Sequence, residues 1–376
     1  MMPTGNTLRP VWAEINLNNF KKNIHVVRSL IPETCQIMAV VKANAYGIGA
    51  IPASEAALEA GAEWLAVATP DEGVEILEAL PGCNLLVLGP VTDKAAEVLI
   101  NLGASLTVTS IEGLLDANDA GKRLGKKGKV HIKIDTGMGR IGFRPGDELE
   151  QALDTVTRCD NLEVQGVFTH FAVADVDPEY TETQLSRFDY GVNQLSKKGI
   201  RPRYVHAANS AGILAWPKSH YDLVRPGIML YGCYPNQSLA DKAPLYPVLS
   251  LKARISHVKP VSAGAKIGYG ITYETQGDTV IATVPIGYAD GYRRALSNKG
   301  WVLIGGKRYP IAGRICMDQL MVDVGEGNNV HPGDVVTLIG QDGEECVTLD
   351  EVANLVETIT HEILTGITCR VPRIYV

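Results

Sequence analysis

In the stretch AVVKANAYGIGA (39–50), an apolar run ends in Lys42 and a tyrosine and two glycines follow at once. An amine carried to the end of a buried strand is partly desolvated, loses its proton more easily and can attack a carbonyl. A lysine reaching for solvent from a strand end accounts for this one segment equally well. Four more stretches break the tie. KIDTGMGR (133–140) offers Lys133 and Arg140 beside flexible glycines, and THFA (169–172) offers His170. HAANSAG (206–212) offers His206, Asn209 and Ser210, and VRPGI (224–228) offers Arg225 and the backbone amides of Gly227 and Ile228. Each of these residues alone could be structural. Together they suit an anionic ligand bearing a carbonyl. A phosphate would rest on the Ser210 hydroxyl and the amides after Pro226.

Such a set needs a scaffold that gathers strand ends. Apolar runs recur at 35–43, 64–68, 84–89, 105–109, 130–135, 164–172, 203–209 and 223–232. Most are rich in Val, Ile and Leu without strict alternation, as in strands buried on both faces. Helical patterns such as IPASEAALEAG (51–61), DEGVEILEAL (71–80), DKAAEVLINLG (93–103) and TQLSRFDYGVNQLSKKG (183–199) lie between them. Eight such units predict an α/β fold, a (β/α)₈ TIM-like barrel whose reactive groups gather at the carboxyl ends of the strands. A doubly wound sheet would want a G-x-G-x-x-G turn after its first strand, and none is present.

After residue 245 the rhythm changes to closely spaced strands punctuated by Gly and Pro, with one helix predicted over 349–366. The expected domains are a barrel over 12–245 and a mainly-β domain over 246–376, with residues 1–11 packing on the latter. The segment VWAEINLNNF (11–20) could also pair with that second domain.

Composition narrows the function classes. The 376 residues are 45% hydrophobic and 20% charged, with a net charge of −7, which disfavours nucleic acid. No apolar run approaches a membrane span, and MMPTGNTLRP lacks the apolar stretch of a secretory signal, so a cytoplasmic protein is expected. The seven cysteines show no C-x-x-C and the eight histidines no H-E-x-x-H, so no metal and no disulfide framework is expected.

AVVKANAYGIGA, KIDTGMGR, THF, HAANSAG, VRPGI, GYG (268–270), PIGYADGY (285–292), GRICMDQ (313–319) and RVPR (370–373) resemble alanine racemase nearly end to end and in order. The resemblance implies a fold-type III enzyme using pyridoxal 5′-phosphate, a head-to-tail homodimer with shared active sites, making D-alanine for peptidoglycan. Lys42 would hold the cofactor as a Schiff base. Tyr46, Ser210, Gly227 and Ile228 would contact its phosphate, His170 would pack on its ring, and Arg225, backed by His206, would face its ring nitrogen. Tyr269 and the Met317 amide would come from the partner subunit. Arg140 and that amide would hold the substrate carboxylate, Asp318 would sit beside Tyr269, and Lys133 matches a lysine that some members carbamylate to orient Arg140. Tyr288, Asp175, Arg294, Arg314 and Ile359 match positions along the entry corridor.

Racemisation removes the Cα proton from one face and returns one to the other, so two bases must flank a planar carbon. Lys42 and Tyr269 fill those roles. Amines and phenols have ordinary pKa values near ~10, so both must be tuned down. Arginine at the ring nitrogen only donates hydrogen bonds, which leaves that nitrogen unprotonated and the ring a weaker electron sink.

Two positions depart from the family's pattern. His361 stands where a tyrosine is usual at the phosphate and the substrate entrance, which predicts tolerance of side chains larger than methyl, serine first. Ile48 replaces a frequent histidine. Rival readings are a serine or broad-specificity racemase, a fold-type III decarboxylase, a non-catalytic cofactor carrier, and a barrel enzyme without this cofactor.

Overall fold

The eight apolar runs become eight parallel strands in a computed structural model that describes residues 8–376. The expected packing of residues 1–7 lies outside the described residues. Strand β1 (Val11–Ile15) precedes the barrel and pairs elsewhere. The barrel strands are β2 (Gln36–Val40), β3 (Trp64–Val67), β4 (Leu85–Pro90), β5 (Ser105–Val108), β6 (Gly128–Lys133), β7 (Leu162–Phe168), β8 (Tyr204–His206) and β9 (Leu223–Val224). Their spatial order is β8-β7-β6-β5-β4-β3-β2-β9. The seam between β8 and β9 is drawn together by Asp222 N–H donating to Val205 O (3.0 Å) and Arg225 N–H donating to Ala208 O (2.9 Å). The result is a nearly closed barrel with Trp64, Leu65, Val130, Ile132, Val167 and His206 buried.

Local chemistry sets the connecting helices. Thr69 and Glu72 form a capping box, with Pro70 in the first turn of Pro70–Ala79. Ser110 caps Ile111–Leu124, and Asp177 with Pro178 opens Pro178–Lys197. Two expected elements are shorter than their apolar runs. Only Leu223–Val224 of the run 223–232 is strand, because Pro226 interrupts it and Ile228–Tyr231 coils into a 3₁₀ turn. The helix expected over 349–366 is two, Leu349–Leu355 and Thr360–Gly366, divided where Glu357 takes a positive φ of 56° just before the β-branched run Thr358-Ile359-Thr360.

The other unit gathers residues 8–19, Tyr46–Ile48 and Pro247–Val376. Its largest sheet runs Lys307–Pro310, Trp301–Ile304, Val335–Asp342, Leu249–Arg254, β1 and Arg373–Tyr375. Residues 12–19 therefore group with the C-terminal strands: β1 pairs antiparallel with Leu249–Arg254, placing Ala13 opposite Leu251. Arg373 Nε donates to Gly47 O (2.9 Å) and Tyr375 OH to Ile48 O (3.0 Å), which ties 46–48 to the same unit. Among the described residues no helix is long and apolar enough to cross a membrane.

Candidate active site

Lys42 leaves β2 into a left-handed turn. Ala43, Asn44, Ala45 and Tyr46 have φ values of 54°, 53°, 50° and 51°. Each L-residue held there costs ~1–2 kcal/mol, so the surrounding bonds must over-determine it. Ala45 N–H donates to Val41 O (2.8 Å), Gly49 N–H to Asn44 O (3.0 Å) and Ala50 N–H to Asn44 Oδ1 (2.7 Å). The fourth tie comes from the helix Pro70–Ala79, where Glu72 Oε1 accepts from Ala43 N–H (2.6 Å) while Oε2 accepts from Ala68 N–H (2.8 Å). Lys42 itself is half-buried. Burial pushes its pKa down, Arg140 adds to that, and Glu72 opposes it. A Glu72→Ala change frees two backbone donors and the cap together. It is expected to destabilise the protein by about 1–3 kcal/mol, read as a lower denaturant midpoint. An unchanged midpoint would show that the turn holds itself.

The neighbouring strand ends supply the rest. Lys133 closes β6, is buried, and donates to Ile134 O (2.8 Å). Burial first, then Arg225 and Arg140, bring its amine down to about 7 against the pull of Asp135. Arg140 lies exposed beyond a loop folded by Asp135 Oδ1, which accepts from Gly137 and Gly139 N–H at 3.0 Å each. Gly142, at φ 109°, is required to be glycine, since a Cβ there would meet Lys133 Cγ at 2.7 Å.

Arg225, buried just past β9, is held on two sides. Nη2 donates to Thr169 O (2.6 Å) and Ala207 O (3.0 Å), and Nη1 faces His206 Nδ1 at 2.9 Å. His170 Nδ1 lies 3.4 Å from Nη2. Burial drives His170 well below its ordinary pKa, helped by Arg225, Arg140, Lys133 and Lys42. Arg225 and the Lys133 amine also lie 5.2 and 5.6 Å from the Phe168 ring centre, so His170, Arg225 and Lys133 lie together.

Beside them, Asn209 caps Ser210–Ala215 through Gly212 N–H (3.0 Å). Ser210 Oγ accepts from Gly227 N–H (3.0 Å) and Met229 N–H (3.4 Å), which leaves its own proton free to donate. Ile228 opens the 3₁₀ turn Ile228–Tyr231, so its N–H has no acceptor within that turn.

Tyr46, Tyr269, Tyr288, Met317, Asp318 and His361 belong to the other unit. Tyr269 stands 71% exposed between Gly268 and Gly270, both at φ 72°. A Cβ on Gly270 would meet Arg314 Nη1 at 2.8 Å, so the turn is glycine-dependent and backed by a guanidinium. Met317 is pinned by Ala289 N–H donating to its carbonyl (3.0 Å), and Tyr288 N–H donates to Cys316 O (3.1 Å). Asp290 anchors that loop, accepting from Gly287 N–H (3.0 Å) and Arg9 (2.8 Å). Asp318 accepts from Arg370 Nη2 (2.7 Å). The His361 ring centre lies 5.7 Å from that of Tyr46, tilted by 46°.

Sequence reasoning missed Glu72 and His131. The first was signalled by the T-x-x-E capping pattern at 69–72. The second sits two residues before Lys133 in VHIKID, on the same face of its strand.

Family models for the alanine racemase N-terminal domain and C-terminal domain match residues 15–235 and 248–375. The chain is similar to alanine racemase of Carboxydothermus hydrogenoformans, 49% identical over 98% of this chain and 100% of that one. It is 45% identical to alanine racemase of Methanococcus maripaludis over 97% and 98% of the two chains. Among solved structures, alanine racemase from Bacillus anthracis with bound L-Ala-P superposes with a TM-score of 0.93 at 40% identity, covering 99% and 96% of the two chains. Histidine racemase from Leuconostoc mesenteroides superposes at 0.89 with 30% identity, covering 99% of each chain.

Proposed function

Since the chain belongs to the alanine racemase family, we propose that its barrel holds pyridoxal 5′-phosphate on Lys42 and that a second copy of the chain completes the site. The protein is an amino-acid racemase that interconverts L-alanine and D-alanine.

The donor set supports the cofactor reading. Among the described residues, Arg225 Nε–H and one Nη1–H make no hydrogen bond, and a donor-only guanidinium suits an unprotonated ring nitrogen. The Ser210 hydroxyl and the Ile228 amide suit a phosphate. Lys42 carries the lowered pKa that a nucleophilic amine needs. When bound, pyridoxal phosphate supplies an electron-withdrawing system joined to the substrate α-carbon.

The chain's own groups do the rest. Arg140 and the Met317 amide of the partner subunit hold the substrate carboxylate. Lys42 takes or returns the Cα proton on one face, and Tyr269 of the partner subunit does so on the other. Desolvation of the Lys42 amine favours its neutral, proton-accepting form. Lys133, brought down to about 7, is partly neutral at physiological pH, the form in which an amine can be carbamylated beside Arg140.

A homodimer is supported by a set of exposed apolar side chains in the C-terminal unit: Tyr269, Ile271 (58%), Met317 (53%) and Ile359 (61%). The cysteines form no disulfide among the described residues, which agrees with a cytoplasmic location, where D-alanine is needed for peptidoglycan precursors.

The observation that carries the function is the gathering of His170, His206 and Arg225 at neighbouring strand ends, with the Lys133 amine beside them over the Phe168 ring. Incubation with L-alanine and chiral chromatography tests it. Equal amounts of the two enantiomers are expected at equilibrium. Carbon dioxide release without D-alanine would favour the decarboxylase instead. In a His361→Tyr variant the serine-to-alanine activity ratio is expected to fall several-fold, because a bulkier ring narrows the entrance. An unchanged ratio would remove His361 from substrate selection.

A further inference from the structure

Behind Arg225 a file of polar groups, buried as far as His131 and half-buried at Gln165, runs away from the site. His206 Nδ1 faces Arg225 Nη1 at 2.9 Å, and His206 Nε2 faces His131 Nδ1 at 2.9 Å. His131 Nε2 faces Gln165 Oε1 at 3.4 Å, and Ser105 Oγ donates to that same oxygen at 2.6 Å. A guanidinium can only donate, so His206 Nδ1 must accept. A neutral His206 then carries its proton on Nε2 and donates to His131 Nδ1. His131 in turn carries its proton on Nε2 and donates to Gln165. An arginine at one end and a carbonyl at the other leave no second arrangement with every bond made.

Both imidazoles are fully buried, and the charged groups facing them are cations. Burial, opposed by the Gln165 bond and aided by Arg225, brings His131 down to about 3. Burial, Arg225, His131 and Lys133 hold His206 well below its ordinary value. Trp64 and Tyr204 cover the His131 ring, with centres 5.6 and 6.4 Å away.

An independent observation comes from β7. Gly166 lies opposite His131 in register, where the pairing shifts between Val130 and His131. A Cβ on Gly166 would fall inside contact distance of His131 Nδ1 and Cε1, and 2.8 Å from Cγ. The strand omits a side chain where the ring passes.

We propose that His131 is a positioning residue of the racemase, fixing through His206 the acceptor that aims Arg225 into the site. The catalytic consequence rests on the reading of Arg225 as the group facing the cofactor ring; the direction of the hydrogen-bond file does not.

Histidine-¹⁵N-labelled protein, with and without pyridoxal phosphate, tests the direction. Both residues are expected as neutral Nε2–H tautomers from about pH 6 to about pH 9. An Nδ1–H or doubly protonated His206 would overturn the proposal without any variant. His131→Leu is expected to lower kcat and weaken pyridoxal phosphate binding by roughly 10- to 100-fold, the scale of one lost buried hydrogen bond. His131→Gln, whose amide oxygen can accept from His206, should recover most of both. Gly166→Ala, which displaces the ring but keeps it, should resemble His131→Leu. Equal behaviour of the leucine and glutamine variants would overturn the positioning role. If Arg225→Lys also left cofactor binding unchanged while the wild-type tautomers held, the Arg225 reading would fail and the file would stand.

Discussion

A Lys42→Ala enzyme is expected to lose racemisation by roughly 10³-fold or more, because one change removes both the nucleophile and one of two bases. The fold gives reasons to expect so large a loss. The left-handed turn over 43–46 is expensive backbone, held by Glu72 and Asn44, and its effect is to present this amine. Burial and Arg140 lower its pKa, and the neighbouring amine of Lys133 is engaged in donating to Ile134 O. The variant should also release pyridoxal phosphate on dialysis. In wild type, borohydride reduction and peptide mapping should place the pyridoxyl group on residue 42. Retention of activity within about tenfold would contradict the assignment.

Tyr269→Phe should cost roughly 10²- to 10⁴-fold in racemisation, the range of a positioned acid–base group. Phenylalanine keeps the ring, and Tyr269 is mostly exposed on its own chain, so folding should be unaffected. The diagnostic feature is asymmetry. In deuterated solvent, the enantiomer whose Cα–H faces Lys42 should continue to exchange that hydrogen while converting poorly. The other enantiomer should not exchange. Lys42→Arg should invert the pattern. Equal loss of exchange from both enantiomers in Tyr269→Phe would mean that the phenol acts on neither face alone.

The barrel was legible because buried parallel strands are continuous apolar runs, and eight of them alternate with capped helices. The strand-end residues followed from that geometry, since Lys133 and His206 close their strands and Lys42, His170 and Arg225 lie within two residues of one. Strand β9 was overestimated because apolar composition cannot distinguish a strand from the 3₁₀ turn after Pro226. The split at Glu357 was equally silent, since a positive φ in a glutamate leaves no compositional mark. The left-handed turn was only half legible: Gly47 and Gly49 signalled a sharp bend, but two alanines and a tyrosine at positive φ did not. The grouping of β1 with strands more than 230 residues later is a long-range pairing that local pattern can suggest but not fix. Glu72 and His131 act through backbone and ring contacts that span 29 and 75 residues, beyond any motif.

The most direct measurement mixes the two inactive proteins. Lys42→Ala and Tyr269→Phe chains are unfolded together, refolded and assayed. If each site joins Lys42 of one chain to Tyr269 of the partner subunit, the hybrid dimer contains one site with both groups intact. Random pairing then restores about a quarter of wild-type activity. If both groups serve the site of their own chain, every site in the mixture lacks one of them and activity stays at the level of the separate variants.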